Sequence, residues 1–334
     1  MRSTIKDVAL QAGVSIATVS NVISGKKYVS DELTSKVKKT MGELDYQPNL
    51  VASGLKIKKT YKIGIVVPDI LNPFYGTLVR SIERAFDGTP YQLLLSISDY
   101  DASKEMRFIN SFVNSGHVDG LMLATPGIDF KELKRGLEIP VVAIDRFPSE
   151  NENDIFFVYT DNVMASSQLA EFAYQKGYRR FAYIAGSENI NTASLRVRGF
   201  LECLRKLGVP NSNIVVTSGE VSFDFGYQNM LQLLNQYDMS YRLAVLSSSD
   251  MAAWGALEAV KSCGFRIPND IGIVGFDNAY FSEFLTPRLT TFHNPSSEMG
   301  SVAAAHMLEV LSTGIWDGER FQIIEGRLVE RESL

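Results

Sequence analysis

The sequence has few of the residues that build disulfide frameworks and metal clusters. Its 334 residues include two cysteines and three histidines. Cys203 and Cys263 do not form a CxxC pair, and His117, His293 and His306 are too few and too scattered for a metal cluster. We therefore expect no metal site and no disulfide framework, which fits a reducing cytosol.

Long apolar runs and the common catalytic motifs are also missing. No stretch of about eighteen apolar residues and no amino-terminal apolar signal segment occurs, which predicts a cytoplasmic protein without a membrane span. The sequence contains no P-loop, no GxSxG turn and no GxGxxG motif after a strand. Because no nucleophile–base set is recognisable either, we expect a binding protein that needs no cofactor, and not an enzyme.

Positive charge is concentrated at the start of an acidic chain. Residues 1–60 hold ten Lys or Arg residues and five acidic residues, a net charge of +5, whereas the whole chain carries −5. Residues 61–334 therefore carry a net charge of −10. A basic head on an acidic body indicates contact with nucleic acid, although Lys-rich helices alone are also typical of ordinary solvated surfaces.

The basic head has the pattern of a helix-turn-helix followed by a third helix. Thr4 is placed to cap a first helix with Asp7 in its first turn, and Gly13 marks the turn that ends it. Ser15 is the next N-cap candidate, and the segment 30–46 predicts the third helix. This arrangement is typical of proteins that read DNA.

The second helix of this pattern has an unusual outer face. Apolar residues spaced three to four apart are expected to pack inward, and these are Val19, Val22 and Ile23. The residues left to face outward are Ile16, Ala17, Ser20 and Asn21. An outward isoleucine beside an outward alanine is explained by contact with thymine methyl groups in a major groove, so we predict DNA binding.

The body of the chain alternates between strand-like and helix-like segments. The strand-like runs are 62–68, 92–98, 120–125, 140–145, 156–161, 181–186, 213–219, 243–249 and 272–277. They are continuous apolar runs, as expected for parallel strands buried on both faces, and helical stretches such as 165–176, 192–207 and 251–263 separate them. The pattern predicts an α/β class with doubly wound sheets, and about 270 residues are too many for one domain, which favours two lobes.

The chain resembles the LacI/GalR family of bacterial repressors. The resemblance is carried by TIKDVALQAGVSIATVSNVISG at 4–25, YVS at 28–30 and LDYQPNLVASGLK at 44–56, and it extends over essentially the whole chain. It implies a sequence-specific transcription regulator, a repressor, that binds double-stranded operator DNA as a homodimer. Because two heads need two half-sites, the operator is expected to be pseudo-palindromic.

The resemblance implies DNA contacts in the head and in a hinge helix at 48–57. In the family the second helix enters the major groove, and Leu55 would match a leucine wedged between base pairs in the minor groove. The residues implied to contact DNA or to support that contact are Thr4, Ser15, Ile16, Ala17, Thr18, Ser20, Asn21, Tyr46, Asn49, Ala52, Leu55 and Lys56. Many relatives carry other residues at Asn21 and Ser53, so the half-site is expected to differ.

The resemblance also implies the domain organisation. An all-α DNA-binding domain at 1–47 would be followed by the hinge helix and linker at 48–60. A two-lobed core of the periplasmic-binding-protein fold would follow, in which the chain crosses between lobes near 159–162, 289–293 and 320–324. The lobes would comprise 61–160 with 292–321, and 161–291 with 322–334.

Polar residues follow the carboxyl ends of the predicted strands, where ligands of such sheets bind. The implied effector-binding residues are Asn72, Phe74, Tyr75, Asp145, Arg146, Asp161, Arg196, Ser249 and Asp277. Carboxylates, amides and arginine bind hydroxyl groups, and aromatic rings cover an apolar ring face. Alternatively, Asp161 and Asp277 only cap the helices that follow them, and Arg196 is a plain surface residue. For Asp250, capping is favoured over ligand contact.

This polar set predicts a small polar effector, a sugar or sugar derivative, bound between the two lobes. The alternative is a carbon-catabolite-type regulator controlled by a phosphorylated protein co-repressor, which the stretches VVPDILNPFY and ISDYD suggest. The first lobe offers no convincing basic cluster for such a partner. A solute-binding protein or an enzyme of the same fold is disfavoured by the DNA-reading head and by the missing catalytic set.

Overall fold

The computed structural model divides the chain into two compact units, Met1–Thr60 and Tyr61–Leu334. The residues it describes are 3–24, 27–46, 59–114, 116–125, 139–146, 155–188, 190–236, 241–315 and 318–334. The predicted hinge helix at 48–57 lies outside the described residues, as do Asn49, Ala52, Leu55 and Lys56.

The described residues of the first unit form three helices, α1 Ile5–Ala12, α2 Ile16–Ser24 and α3 Asp31–Glu43. Thr4 and Asp7 form a capping box at the start of α1, because the Asp7 amide donates to the Thr4 hydroxyl at 3.4 Å and the Thr4 amide donates to the Asp7 carboxylate at 2.8 Å. Gly13 follows α1 with φ of 62°, a left-handed conformation that glycine adopts without strain. The predicted helix-turn-helix and its capping residues are confirmed.

A small apolar core holds the three helices of the first unit together. Its fully buried members are Val8, Ala9, Ala12, Val19 and Val37. Every helix contributes at least one of them. Helices this short are marginally stable in isolation, so packing against this core stabilises them.

Where the structure describes the second unit, it has two sheets of six strands each. The first sheet has the order β11-β5-β4-β3-β1-β2. Its strands are β1 Lys62–Val67, β2 Gln92–Ile97, β3 Gly120–Leu123, β4 Val141–Ile144, β5 Ile155–Tyr159 and β11 Phe321–Ile323. All of these pair in parallel, and β3, β4 and β5 are buried throughout, as the continuous apolar runs predict.

The second sheet has the order β12-β10-β9-β8-β6-β7. Its strands are β6 Arg180–Gly186, β7 Ile214–Gly219, β8 Leu243–Ser247, β9 Ile271–Asp277, β10 Thr290–His293 and β12 Arg327–Val329. The predicted doubly wound parallel sheets are confirmed, and the edge strand β12 is an exception, because it pairs with β10 in the antiparallel direction.

Helices pack on both faces of each sheet. Those among the described residues are α4 Pro73–Ala85, α5 Ala102–Asn114, α6 Asn162–Gln175, α7 Asn191–Lys206, α8 Phe223–Gln236, α9 Asp250–Ser262 and α10 Ser296–Thr313. Each sheet consequently has a separate apolar core on either face, which is the doubly wound arrangement. None of the described helices combines the length and apolarity needed to span a bilayer.

The chain crosses between the lobes later than predicted at two of three places. β10 lies in the second sheet and the following α10 packs on the first lobe, whereas β11 lies in the first sheet and β12 in the second. The second and third crossings therefore fall at 294–295 and 324–326. The predicted boundaries at 291/292 and 321/322 each fall inside a strand, because sheet membership depends on hydrogen-bond partners far along the chain.

Candidate functional site

The start of α2 is fixed by two hydroxyl side chains. The Thr18 amide donates to the Ser15 hydroxyl at 3.0 Å, and the two hydroxyl oxygens lie 2.8 Å apart. The Ser15 hydroxyl thereby satisfies a backbone N–H group in the first turn of α2, which fixes the amino terminus of the helix. Ser15 and Thr18 thus support the helix, as expected.

The outer face of α2 carries the predicted base-reading residues. Ile16 is 46% exposed although it is a large aliphatic residue, whereas Val19 on the inner face is fully buried. Ala17 and Ser20 are exposed and Asn21 is half-buried. Tyr46 is half-buried and packs against the core of the first unit. The first unit therefore presents an apolar and amide-bearing helix face that matches the chemistry of a major groove.

A cleft lies between the carboxyl ends of the strands of the two lobes, where open α/β sheets bind ligands. We call it the effector cleft. Its lining residues are Asn72, Phe74, Tyr75, Tyr100, Asp145, Ile190, Thr192, Ala193, Arg196, Val221, Ser248, Ser249 and Asp277.

Arg196 on α7 is the central cation of the cleft. Its residue is 6% exposed, so it is not a plain surface arginine. The Nε atom donates to Asn162 Oδ1 at 2.6 Å, and an Nη atom donates to the Ser248 carbonyl at 2.7 Å. The guanidinium also lies 3.7 Å from the centroid of the Phe276 ring. These contacts fix the guanidinium plane, which leaves its remaining donors directed at the cleft.

Two carboxyl groups from different lobes accompany this cation. Asp145 follows β4 of the first lobe and lies 3.8 Å from an Nη atom of Arg196, while Asp277 ends β9 of the second lobe. Burial raises the pKa of Asp145 to about 6, and Arg196 opposes that rise. Burial also raises the pKa of Asp277 well above its usual value, with Asp250 and Asp145 adding to the effect. The Asn294 amide donates to Asp277 Oδ1 at 3.4 Å.

The backbone at Asp277 is unusual and is held by a buried network. Asp277 has φ of 110° and Asn278 has φ of 56°, a left-handed region that side chains other than glycine seldom adopt. Asp250, which is 1% exposed, accepts the Ala279 amide at 2.6 Å and the Thr291 hydroxyl at 2.6 Å. Because Ala279 directly follows the strained pair, this carboxylate anchors the turn that presents Asp277.

The carboxyl-terminal segment completes the support of this turn. Arg331 donates to Asn278 Oδ1 at 2.7 Å and to the Leu289 carbonyl at 2.8 Å. The Asn278 amide in turn donates to the Thr291 hydroxyl at 3.3 Å. Arg331, three residues before Leu334, thereby supports a turn of the effector cleft.

Aromatic and amide side chains form the first-lobe wall. The ring centroids of Phe74 and Tyr75 lie 5.1 Å apart at an interplanar angle of 89°, an edge-to-face contact. Asn72 accepts the Phe74 amide at 3.0 Å and so caps α4 while it lines the cleft. Tyr100 joins this wall from the loop after β2, and burial raises the pKa values of both tyrosines. At neutral pH both therefore present hydroxyl groups and not phenolates.

Seven of the nine residues predicted for this site line the cleft, and two do not. Asp161 caps α6 by accepting the Met164 amide at 2.9 Å and is exposed, which is the structural role left open for it. Arg146 follows β4 but does not line the cleft; burial raises the pKa of Glu105 to about 7, and the charge of Arg146 opposes that rise. Ser249 both lines the cleft and caps α9, accepting the Ala252 amide at 3.2 Å.

Several lining residues were not predicted from the sequence, and the polar ones among them are Tyr100, Thr192 and Ser248. Ser248 directly precedes Ser249, so the strand-end rule could have found it. Tyr100 follows a strand at a distance of three residues, but no motif marks it. Its place depends on φ of 58° at Tyr100 itself, which the sequence does not reveal.

The chain matches known families at both ends. Residues 4–49 match the model of bacterial regulatory proteins, lacI family, and residues 170–334 match a periplasmic binding protein-like domain. The ribose operon repressor of Halalkalibacterium halodurans is 34% identical over 331 residues, which cover 99% of this chain and 97% of that protein. The match therefore spans both units of the chain.

Solved structures agree with this assignment. The lac repressor dimer bound to operator and the anti-inducer ONPF matches with a TM-score of 0.87 and 25% identity, covering 100% of this chain and 99% of that one. A LacI family transcriptional regulator from Enterococcus faecium with bound ribose matches with a TM-score of 0.72 and 26% identity, covering 81% of this chain and 98% of that one. The chain belongs to the LacI family of bacterial transcription regulators, which bind DNA and are not enzymes.

Proposed function

We propose that this regulator binds a small polyhydroxylated effector, a sugar or sugar derivative, in the cleft between its lobes. The observation that carries the proposal is the buried Arg196 guanidinium beside the carboxyl groups of Asp145 and Asp277. Vicinal hydroxyl groups donate to carboxylates and accept from a guanidinium at the same time. The related regulator from Enterococcus faecium was solved with bound ribose, which supports this class of ligand.

Each lining residue has a role that follows from its chemistry. Asp145 and Asp277 accept hydrogen bonds from effector hydroxyls, and Arg196 donates to effector oxygens. Phe74 and Tyr75 cover an apolar face of the sugar ring. Asn72 and Ser249 retain hydrogen-bonding capacity beyond their capping bonds and add specificity.

The response to the effector is a population shift in a homodimer. Effector binding favours one arrangement of the first lobes over another, which changes the spacing of the hinge segments at 48–57. The head then gains or loses its fit to a pseudo-palindromic operator, with α2 in the major groove and Leu55 in the minor groove. The protein acts in the cytoplasm as a repressor, and the polar lining of the cleft favours a small effector over a protein co-repressor.

A thermal-shift screen of the full-length protein tests the effector proposal. Neutral sugars, sugar phosphates, sugar acids and nucleobases are added in turn, and each hit is repeated with Asp277→Ala. A sugar that raises the melting temperature of the wild type and not of the variant supports the cleft as the sensor. A screen without any hit, or a hit that survives in the variant, would contradict the proposal.

A further inference from the structure

We infer that Asn162 is a positioning residue that links the Arg196 guanidinium of the effector cleft to the segments in which the chain crosses between the lobes. This inference deepens the proposed function and rests on it. Residues 160–161 join β5 of the first lobe to α6 of the second, and residues 324–326 join β11 of the first lobe to β12 of the second. We call these two stretches the paired crossing segments.

Asn162 uses both ends of its side-chain amide. It is 2% exposed, its Oδ1 atom accepts from Arg196 Nε at 2.6 Å, and its Nδ2 atom donates to the Thr160 carbonyl at 3.1 Å. It is not one of the described residues that line the effector cleft, so it acts on an effector only through Arg196. It is also not needed as a helix cap, because Asp161 already accepts the Met164 amide at the start of α6. A buried amide bonded at both ends fixes the guanidinium relative to residue 160.

The paired crossing segments are bonded to each other. The Thr160 hydroxyl donates to the Ile324 carbonyl at 3.0 Å, and the Ile324 amide donates to the Tyr159 carbonyl at 2.9 Å. Thr160 is 1% exposed, so water has little access to its side chain. Because a few residues at the ends of elements absorb the backbone changes of a lobe movement, a shift of one segment carries the other with it.

The helix that carries Arg196 is in backbone contact with the helix that begins at Asn162. A Cβ atom at Gly199 of α7 would lie 2.1 Å from the Val163 carbonyl oxygen, so glycine is required for this approach. The Ser167 hydroxyl of α6 also donates to the Gly199 carbonyl at 2.9 Å. Since the two helices are packed this closely, a displacement of Arg196 is transmitted to the start of α6 and from there to the paired crossing segments.

The remaining crossing shows a similar arrangement. Asn294 lies between β10 and α10, is 1% exposed, and donates to Asp277 Oδ1 at 3.4 Å. Burial raises the pKa values of Asp145 and Asp277, and hydrogen bonding from Asn294 opposes both rises. The cation and both carboxyl groups of the effector cleft therefore each have a buried asparagine neighbour at a crossing between the lobes.

Isothermal titration calorimetry of the full-length protein tests the positioning role. The probes are D-ribose, D-xylose, D-glucose, D-galactose, D-gluconate and glucose 6-phosphate, and each probe that binds the wild type is titrated into the variants. Asn162→Ala removes the acceptor of Arg196 Nε, so the dissociation constant should rise about tenfold or more. Asn162→Asp keeps that acceptor and should restore the affinity to within about threefold of the wild type. Asn162→Leu has the branched shape of asparagine without its polar atoms, and it replaces Asn162→Ala if that variant does not fold.

Hydrogen–deuterium exchange read by mass spectrometry tests the link to the paired crossing segments. A bound probe should change the exchange rate of wild-type peptides that cover 159–162 and 324–326 by about threefold or more. Thr160→Val keeps the shape of the side chain and leaves the bond between Asn162 and Arg196 in place, so probe affinity should stay within about threefold of the wild type. It removes the bond to the Ile324 carbonyl, so the change at 324–326 should be lost. Asn162→Asp should bind the probe and show the same loss, because a carboxylate cannot donate to the Thr160 carbonyl.

Ser167→Ala is the matched control. It removes a side-chain hydrogen bond between α6 and α7 but leaves Asn162 and the paired crossing segments intact. We expect a lower melting temperature with wild-type affinity and a wild-type change in exchange. If Asn162 only stabilised the fold, Asn162→Ala would resemble this control.

The outcomes separate the inference from the proposed function. An affinity of Asn162→Ala within about threefold of the wild type, or an equal loss of affinity in Ser167→Ala, overturns the inference while the proposed function stands. The inference also fails alone if a bound probe leaves exchange in the wild-type crossing peptides unchanged, or if the change at 324–326 survives in Thr160→Val or Asn162→Asp. No binding of any probe to the wild type contradicts the proposed function and the inference with it.

Discussion

Replacing Arg196 by methionine is the most direct perturbation of the effector cleft. Methionine keeps much of the volume of the side chain but removes its charge and all of its donors. The Asn162 amide oxygen and the Ser248 carbonyl would then lose partners at 2.6 and 2.7 Å, and the Phe276 ring would lose a cation 3.7 Å away. Asp145 would also lose the charge that opposes the rise of its pKa.

The expected loss of stability follows from these contacts. Hydrogen bonds to charged groups contribute about 1.5–3 kcal/mol each. A desolvated cation–π contact contributes up to about 2 kcal/mol. Because the variant no longer buries a guanidinium, part of this loss is recovered, and we expect the free energy of unfolding to fall by about 2–4 kcal/mol. For a body of this size the melting temperature should fall by about 5–10 °C.

Arg196→Met should also lower the affinity for the effector, independently of its effect on stability. The variant loses the hydrogen bond between the guanidinium and an effector hydroxyl, which is a bond to a charged group. The dissociation constant of the effector should therefore rise by about 10- to 100-fold. Arg196→Lys should recover only part of the affinity, since an ammonium cannot bond to Asn162, Ser248 and an effector in one plane. Calorimetry with the sugar identified by screening measures these dissociation constants.

Arg198 supplies the control, because it lies on the same helix with its side chain 57% exposed and pairs with Glu202 at 3.9 Å. Exposed pairs contribute about 0–1 kcal/mol, so Arg198→Met should change the melting temperature by less than about 3 °C. If Arg196→Met melts within 1 °C of the wild type by differential scanning calorimetry, the reasoning about the buried guanidinium is refuted.

Three further predictions concern other parts of the chain. Burial raises the pKa of Asp250 to about 7, so the folded chain holds this proton more tightly than the unfolded chain, and its contribution to stability is lost as pH rises from about 4 to about 7. Asp250→Asn should reduce the change in the free energy of unfolding over this pH range, measured by urea denaturation at several pH values. An unchanged dependence on pH would contradict the prediction. A Cβ atom at Gly226 would lie 2.0 Å from the Ala252 carbonyl oxygen, whereas one at Gly42 meets nothing within 4 Å. Gly226→Ala should therefore lower the melting temperature, whereas Gly42→Ala should raise the free energy of unfolding by up to about 1 kcal/mol. A Gly42→Ala variant less stable than Gly226→Ala would contradict this prediction. Leu55→Ala should weaken operator binding far more than non-specific DNA binding in a fluorescence anisotropy titration, and equal losses would remove the wedge role.

Local sequence signals predicted the strands and helices of this fold accurately. The nine predicted strand-like runs correspond to β1 to β9, with ends that shift by at most two residues. Capping chemistry was informative at α1, which Thr4 and Asp7 cap as predicted, whereas the capping role predicted for Asp250 belongs to Ser249. Both kinds of signal depend on neighbours within a few residues, which the sequence shows directly.

The predictions that failed concern partners distant in sequence. The lobe boundaries shifted because β10 pairs with β9 and β11 pairs with β5, and neither pairing leaves a local mark on short strands. Asp161 and Arg146 were assigned to the site because they follow strands, although a side chain at a strand end can turn either to the cleft or away from it. Tyr100 lies in the cleft wall because its backbone adopts a positive φ, which no sequence motif predicts.

The sequence by itself determined the class of the protein, its DNA-reading helix and the strand ends from which a binding site is built. These follow from short-range periodicity, capping residues and the apolar outer face of α2, which are properties of consecutive residues. Only the tertiary structure decided that Arg196 is enclosed by Asn162, Ser248 and Asp145, and that Arg331 supports the turn at Asp277. Burial, pKa shifts and cavities arise where distant segments meet, so a linear pattern cannot specify them.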